Sequence, residues 1–154
     1  MKSSKNTTPV AYAIRLLKSR DYTETEIRAK LDSRKYGGDI IIKTVDKLKE
    51  LGFINDRRYL ENYIEFRLDS TDDSVSMMKY KLLEKGVKND IIEELFNKIN
   101  NPEQVDAGKI KKIIAKKVKS GPVIEKNRVK LYNYLISKGF DEDLAEKSVN
   151  EISR

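Results

Sequence analysis

IRAKLDSRKYGGDIIIKTVDKL, residues 27–48, decides the fold of this chain because its pattern is written twice more further on. Moving Ile27, Leu31, Asp39, Ile40, Val45 and Leu48 forward by 51 positions gives Met78, Leu82, Asp90, Ile91, Phe96 and Ile99. A further 53 positions gives Leu131, Leu135, Asp143, Leu144, Val149 and Ile152. Fifteen of these eighteen positions are apolar and the other three are the same Asp, so the chain reads as a tandem array. Units of about 50 residues bury too little surface to be stable alone, so each must pack on its neighbour.

Working outward, the flanking residues punctuate helices. Ala11 to Ser19 is a short apolar helix, and Thr23-Glu24-Thr25-Glu26 is a capping box that satisfies the free amides of the next one. Gly37-Gly38 breaks the chain before a third helix, Asp39 to Leu51, ended by Gly52. In the middle unit Asn55-Asp56 opens a helix to Leu68, Ser74 opens one that Gly86 closes, and Asn89-Asp90 caps the third. In the last unit a helix from Glu103 to Lys119 meets Ser120-Gly121-Pro122; another runs from Ile124 to Lys138 and stops at Gly139, and Asp141 caps the final one. No segment alternates with period two. The expectation is all-α, three tandem three-helix repeats in an elongated, curved, solenoid-like array: a disordered tail over 1–8, then repeats over 9–52, 53–101 and 102–154.

With no Cys and no His, the 154 residues offer no disulfide, thiol nucleophile, imidazole base or common transition-metal site. No run approaches the roughly 18 apolar residues of a spanning helix, so a soluble, cytoplasmic protein is expected. Asp72 and Asp73 read as turn and cap chemistry, and neither a phosphate-cradling Gly-rich loop nor a nucleophile elbow is present. The chain is expected to be no enzyme and to need neither metal nor cofactor.

The net charge of +7 is uneven. Residues 1–52 hold 12 Lys/Arg against 7 Asp/Glu, residues 53–102 hold 8 against 10, and residues 103–154 hold 12 against 8. Basic ends around a slightly acidic middle suit a polyanionic partner, nucleic acid foremost, or else a Lys-rich solvated surface. On the helix before Ser120, Lys109, Lys112, Lys116 and Lys119 gather on the face opposite Ala107, Ile110, Ile114 and Val118. Arg128 and Lys130, beside Tyr132 and Tyr134, extend that patch if those rings are not core. Arg15 and Arg20 are the candidate contacts of the first unit.

Leu51-Gly52-Phe53-Ile54-Asn55-Asp56-Arg57-Arg58-Tyr59, then Arg67, then Lys81 to Val87, resembles the central signature of the RecX family, bacterial regulators of the RecA recombinase. Leu131 to Asp141 is similar to that family's C-terminal signature, and Ala11 to Leu31 to its first repeat. The resemblance implies a protein that lies along the groove of the RecA filament on single-stranded DNA. There it would interfere with filament growth, ATP hydrolysis and strand exchange, within homologous recombination, DNA repair and the SOS response. It implies contact with the recombinase filament and with single-stranded DNA, directly or through the filament, by a monomer with no membrane role. It also implies folding roles for Asn55 or Asp56, as a helix cap, and for Tyr59, and a contact role for Arg67 of the middle unit unless that residue pairs with an acid such as Glu61. Two departures stand out: an acidic turn, Asp69 to Ser74, where the family commonly has a Gly-rich basic one, and Leu60 where it commonly has Ala. The acidic turn moves the expected phosphate contacts to the outer units. Two other classes fit the residues alone: a DNA-binding protein acting without RecA, and a helical scaffold for a different protein.

Overall fold

The computed structural model describes residues 7–118 and 125–152. Among them are α1 (Pro9–Ser19), α2 (Glu24–Ser33), α3 (Gly38–Glu50), α4 (Asp56–Ser70), α5 (Val75–Glu84), α6 (Asn89–Phe96), α7 (Pro102–Val118), α8 (Glu125–Ser137) and α9 (Glu142–Glu151). No strand occurs among the described residues, in keeping with an all-α helical repeat fold. Residues 1–6 of the expected tail, the helix end expected at Lys119, the turn Ser120-Gly121-Pro122 and the helix start expected at Ile124 lie outside them.

Local chemistry explains the boundaries. Thr8 accepts from the Ala11 amide with Pro9 as the first helical residue, where a missing N–H costs nothing. At α2 the capping box is complete: Thr23 Oγ1 accepts from the Glu26 amide and the Glu26 carboxylate from the Thr23 amide. Asn55, Ser74, Asn101 and Asp141 cap α4, α5, α7 and α9 in the same manner. Gly52, Gly86 and Gly139 end helices with φ of +72°, +77° and +80°, the left-handed turn that glycine adopts without strain.

The repeated positions are mostly core. Ile27, Leu31, Val45, Leu48, Met78, Leu82, Phe96, Leu131, Leu135 and Val149 are all buried. In the column of Leu48, Ile99 and Ile152 are only half-buried, and another column differs more: Ile40 is 48% exposed, with Ile91 and Leu144 half-buried. Their successors Ile41, Ile92 and Ala145 point inward, because these form an i, i+4 line with Val45, Phe96 and Val149.

Two compact units divide the chain, Met1–Tyr63 with Leu82–Glu93, and Ile64–Lys81 with Glu94–Arg154. In the first, Ala13, Tyr22, Ile27, Leu31, Ile41, Val45, Leu48 and Ile54 form the core. In the second, Ile110, Ile113, Leu131, Leu135, Phe140, Ala145 and Val149 do so. Each Val, Leu, Ile or Phe among them contributes about 1.5–3 kcal/mol by leaving water, before entropy is set against it.

Each unit also holds the same polar joint. In the first, Thr23 Oγ1 donates to the Lys85 carbonyl at 2.7 Å, and the Glu24 amide donates to Asp56 Oδ1 at 2.8 Å. In the second, Ser74 Oγ donates to the Gly139 carbonyl at 2.7 Å, and the Val75 amide donates to Asp106 Oδ1 at 2.9 Å. The start of a second helix is therefore bonded to the turn and to the first-helix acid of the following repeat. That approach leaves no room for side chains at the turn: a Cβ on Gly86 would lie 2.4 Å from Thr25 Cβ, and one on Gly139 would lie 2.9 Å from Met77 Cβ and Ser74 Oγ. The matching turn of the first repeat has Lys35 at φ +65°, exposed to solvent. Glycine thus stands where a helix start packs against the turn.

Gly86→Ala should cost about 2–4 kcal/mol by adding backbone strain to overpacking. Lys35→Gly should be neutral or gain up to about 1 kcal/mol, since only strain is relieved. Urea titration of both variants checks this; a Gly86→Ala loss below half of the lower figure would mean that the joint is loose.

Burial holds the Asp56 carboxyl above its ordinary range although the Glu24 amide bonds to it; the charges of Glu24 and Glu26 add to the rise and Lys49 opposes it. A raised folded value means that the folded chain binds this proton more readily than the unfolded one. Stability from this site therefore grows as pH falls through the raised value and levels off below the unfolded value. Asp56→Asn, which keeps an acceptor and removes the buried charge, should be at least as stable as the parent at neutral pH, with the gap narrowing in acid. Asp56→Ala should lose about 1 kcal/mol through the unbonded amide. Denaturant midpoints at neutral and acid pH measure both effects.

Candidate nucleic-acid interface

The cations of α7 fall into two populations that the helical period alone does not separate. Lys109 is buried, 6% exposed, and its Nζ donates to the backbone carbonyls of Thr71 and Asp73, each at 2.9 Å. Burial lowers its pKa, opposed by Asp106, Asp73, Asp69 and Asp72. The expectation of an exposed Lys109 is therefore corrected. The inward face of α7 is Lys109, Ile110 and Ile113, about a quarter turn from the expected one, while Ala107, Ile114 and Val118 are half-buried. The α4–α5 turn supplies carbonyls that make a lysine acceptable inside.

Lys111, Lys112, Lys116 and Lys117 are exposed. Lys112 Nζ lies 3.3 Å from Asp69 Oδ1, but both side chains are largely solvated, so the pair holds little energy and its charge stays available. Lys112 and Lys116 line a cleft of about 200 Å³ together with Asp69, Ser70, Thr71 and Asp72. Lys117 Nζ sits 4.0 Å above the Tyr134 ring. Lys119 lies outside the described residues.

The acidic turn is largely turned inward. Asp73 is buried and paired with Lys81 at 2.7 Å; Asp72 accepts from the Tyr134 hydroxyl. That bond, with some burial and the Asp72 charge, pushes the Tyr134 phenol up to about 12. Tyr132 and Tyr134 are half-buried against the second unit's core, so they are chiefly packing residues. Arg128 is half-buried, with Nη2 donating to Asn150 at 2.7 Å, in a cleft of about 300 Å³ that also involves Val129, Tyr132, Glu146 and Val149. Lys130 is exposed on α8.

Arg67 is exposed in the last turn of α4, next to Phe66, the most exposed large apolar side chain at 79%. Phe66 was not singled out by sequence. Its signal was angular: it lies about 120° around α4 from the fully buried Leu60. Tyr59 and Tyr63 are half-buried and stack on each other with centroids 6.4 Å apart, while Leu60 holds the inward position. Asn55 caps its own helix and Asp56 caps α2, so both have folding roles. In the first unit Arg15 is exposed; Arg20 lies 3.7 Å over the Tyr22 ring and 3.6 Å from Glu26, engaged within its own unit. No three metal-ligating side chains converge among the described residues, and no described helix is long and apolar enough to cross a membrane.

Residues 10–48 match the family model for RecX, first three-helix domain. The regulatory protein RecX of Chlorobium phaeobacteroides is 30% identical over 146 residues, covering 92% of this chain and 91% of that protein. The one from Clostridium tetani is 35% identical over 132 residues, 83% of this chain but only 59% of that longer protein. Several of the clostridial relatives are likewise spanned over about two thirds of their length or less. The crystal structure of RecX from Lactobacillus salivarius has the same fold, with a TM-score of 0.74, 24% identity and 94% of both chains covered.

Lys109→Met should lose about 2 kcal/mol or more, because two buried carbonyls are left without a donor. Lys112→Gln should change stability by under about 0.5 kcal/mol. Thermal and urea melts of the two variants separate the inward lysine from the outward one; equal losses would contradict the division.

Proposed function

This chain belongs to the RecX family, and we propose that it regulates a RecA-type recombinase by lying on the recombinase filament formed on single-stranded DNA. It lowers filament growth, and with it ATP hydrolysis and strand exchange, in the cytoplasm and as a monomer. It works by occupancy, not by a reaction of its own. The three successive repeats, over 9–52, 53–101 and 102–154, divide the labour: basic outer repeats face phosphate, and the middle one faces protein.

The exposed lysine face of α7 carries this reading. Lys112 and Lys116, with Lys111 beside them, stand in solvent on a helix whose buried side is already committed to the core. Like charges one turn apart weaken a helix by a few tenths of a kcal/mol, a cost that an anionic partner reverses. Arg15 and Lys130 are exposed cations that act in the same sense, with Arg20, Arg128 and Lys119 as flanking charge. Phe66 and Arg67 supply the aromatic and guanidinium pair that dominates many protein interfaces.

The decisive assay is recombinase-catalysed, single-strand-dependent ATP hydrolysis with this protein added well below one copy per recombinase. The parent should reduce the rate, less so as salt rises. Lys112→Glu with Lys116→Glu should weaken inhibition at least about tenfold with the melting temperature unchanged. Phe66→Ala should also weaken it about tenfold, without loss of stability, because its ring leaves no cavity. Full inhibition by both variants, or none by the parent, would refute the reading.

A further inference from the structure

The second unit contains a cleft between α7 and α8 that differs in chemistry from its two neighbours. It encloses about 330 Å³ and is lined by Lys117, Val118, Asn127, Lys130, Leu131 and Tyr134. No acid appears among the described residues of that lining. The cleft beside the α4–α5 turn has Asp69 and Asp72 in its wall, and the one between α8 and α9 has Glu146 and an Arg128 already bonded to Asn150. An anion that enters either of those clefts meets a carboxylate, whereas one that enters this cleft meets lysine charge alone among the described lining.

We infer that the α7–α8 cleft receives one nucleotide of single-stranded DNA, its base inserted and its flanking phosphates held by Lys117 and Lys130. This rests on the proposal that the third repeat faces the phosphates of the strand. Leu131 is buried and gives the floor an apolar surface, with half-buried Val118 beside it. The Tyr134 ring forms a wall whose orientation is fixed by its hydroxyl bond to Asp72. That ring already carries the Lys117 ammonium at 4.0 Å and the Lys138 ammonium at 5.5 Å, so positive charge gathers at this wall. Asn127 lines the cleft from α8. The volume lies at the small end of ligand sites, enough for one unstacked nucleotide. A base paired inside a duplex is not presented this way, so a single strand is the occupant that fits.

The test uses the full chain without recombinase and a fluorescent oligothymidylate of about a dozen nucleotides, read by anisotropy across a salt series. The parent should bind it at least about tenfold more tightly than an abasic strand of equal charge, the difference that one stacked base contributes. Lys117→Gln with Lys130→Gln should cut affinity at least about tenfold and lower the salt slope by between about one and two. Lys98→Gln with Lys147→Gln, exposed and remote from the cleft, should change it far less. Equal affinity for the abasic strand would reduce the cleft to a phosphate patch and overturn the assignment. Unchanged binding by the Lys117/Lys130 variant, or no binding by the parent, would overturn it too. Recombinase ATP hydrolysis run in parallel keeps the two proposals apart: inhibition that survives without nucleotide preference sinks only the cleft, and absent inhibition sinks the regulator whatever the strand does.

Discussion

A helix start cannot satisfy its own first amides, and in this chain the next repeat helps to do so. Asp56 takes the Glu24 amide and Asp106 takes the Val75 amide, while the hydroxyls of Thr23 and Ser74 reach the turn carbonyls of Lys85 and Gly139. Apolar burial alone would let adjacent repeats slide, because it has no direction. These bonds have direction and length, and they set the register in which one helix start meets the following turn. The glycines at 86 and 139 are consequences: the turn must come so near that no Cβ fits. Where no helix start packs on the turn, at position 35, a lysine takes the same left-handed conformation.

The features legible in the sequence were those written over short spacings. The capping box at Thr23, the caps at Asn55, Ser74 and Asp141, and the closing glycines each involve residues a turn or so apart, so local pattern carries them. The apolar repeat carried the core, apart from the column at Ile40 and the half-buried Ile99 and Ile152. What stayed hidden were bonds closed across long stretches of chain. Asp56 reads as a cap for α4, yet Asn55 does that work and Asp56 reaches back 32 residues to Glu24. Lys109 reads as solvated because lysines usually are, yet two carbonyls 36 and 38 residues away receive it. No periodicity encodes a carbonyl waiting in a distant turn.

The same bonds sort the charges. In the turn from Asp69 to Ser74, Asp73 is used by Lys81, Asp72 by Tyr134, and two carbonyls by Lys109. Only Asp69 is left to outward solvent, beside Lys112. A turn that looks repulsive to phosphate on paper therefore turns less negative charge outward than its three acids suggest. Its acids brace α7 and α8 from within.

Bracing has a consequence for recognition. Lys109 fixes one edge of α7 to the turn, and Tyr134 fixes α8 to that turn, so the lysines at 111, 112 and 116 project from a helix whose rotation is already set. A cation on a pre-set helix loses less freedom on meeting phosphate than one on a mobile loop, and the gain appears as tighter binding without any added contact. The flexible stems still adapt to the spacing of phosphates, so order in the backbone and tolerance in the side chains coexist. That combination suits a partner that is repetitive and anionic more than one that demands a single fitted shape.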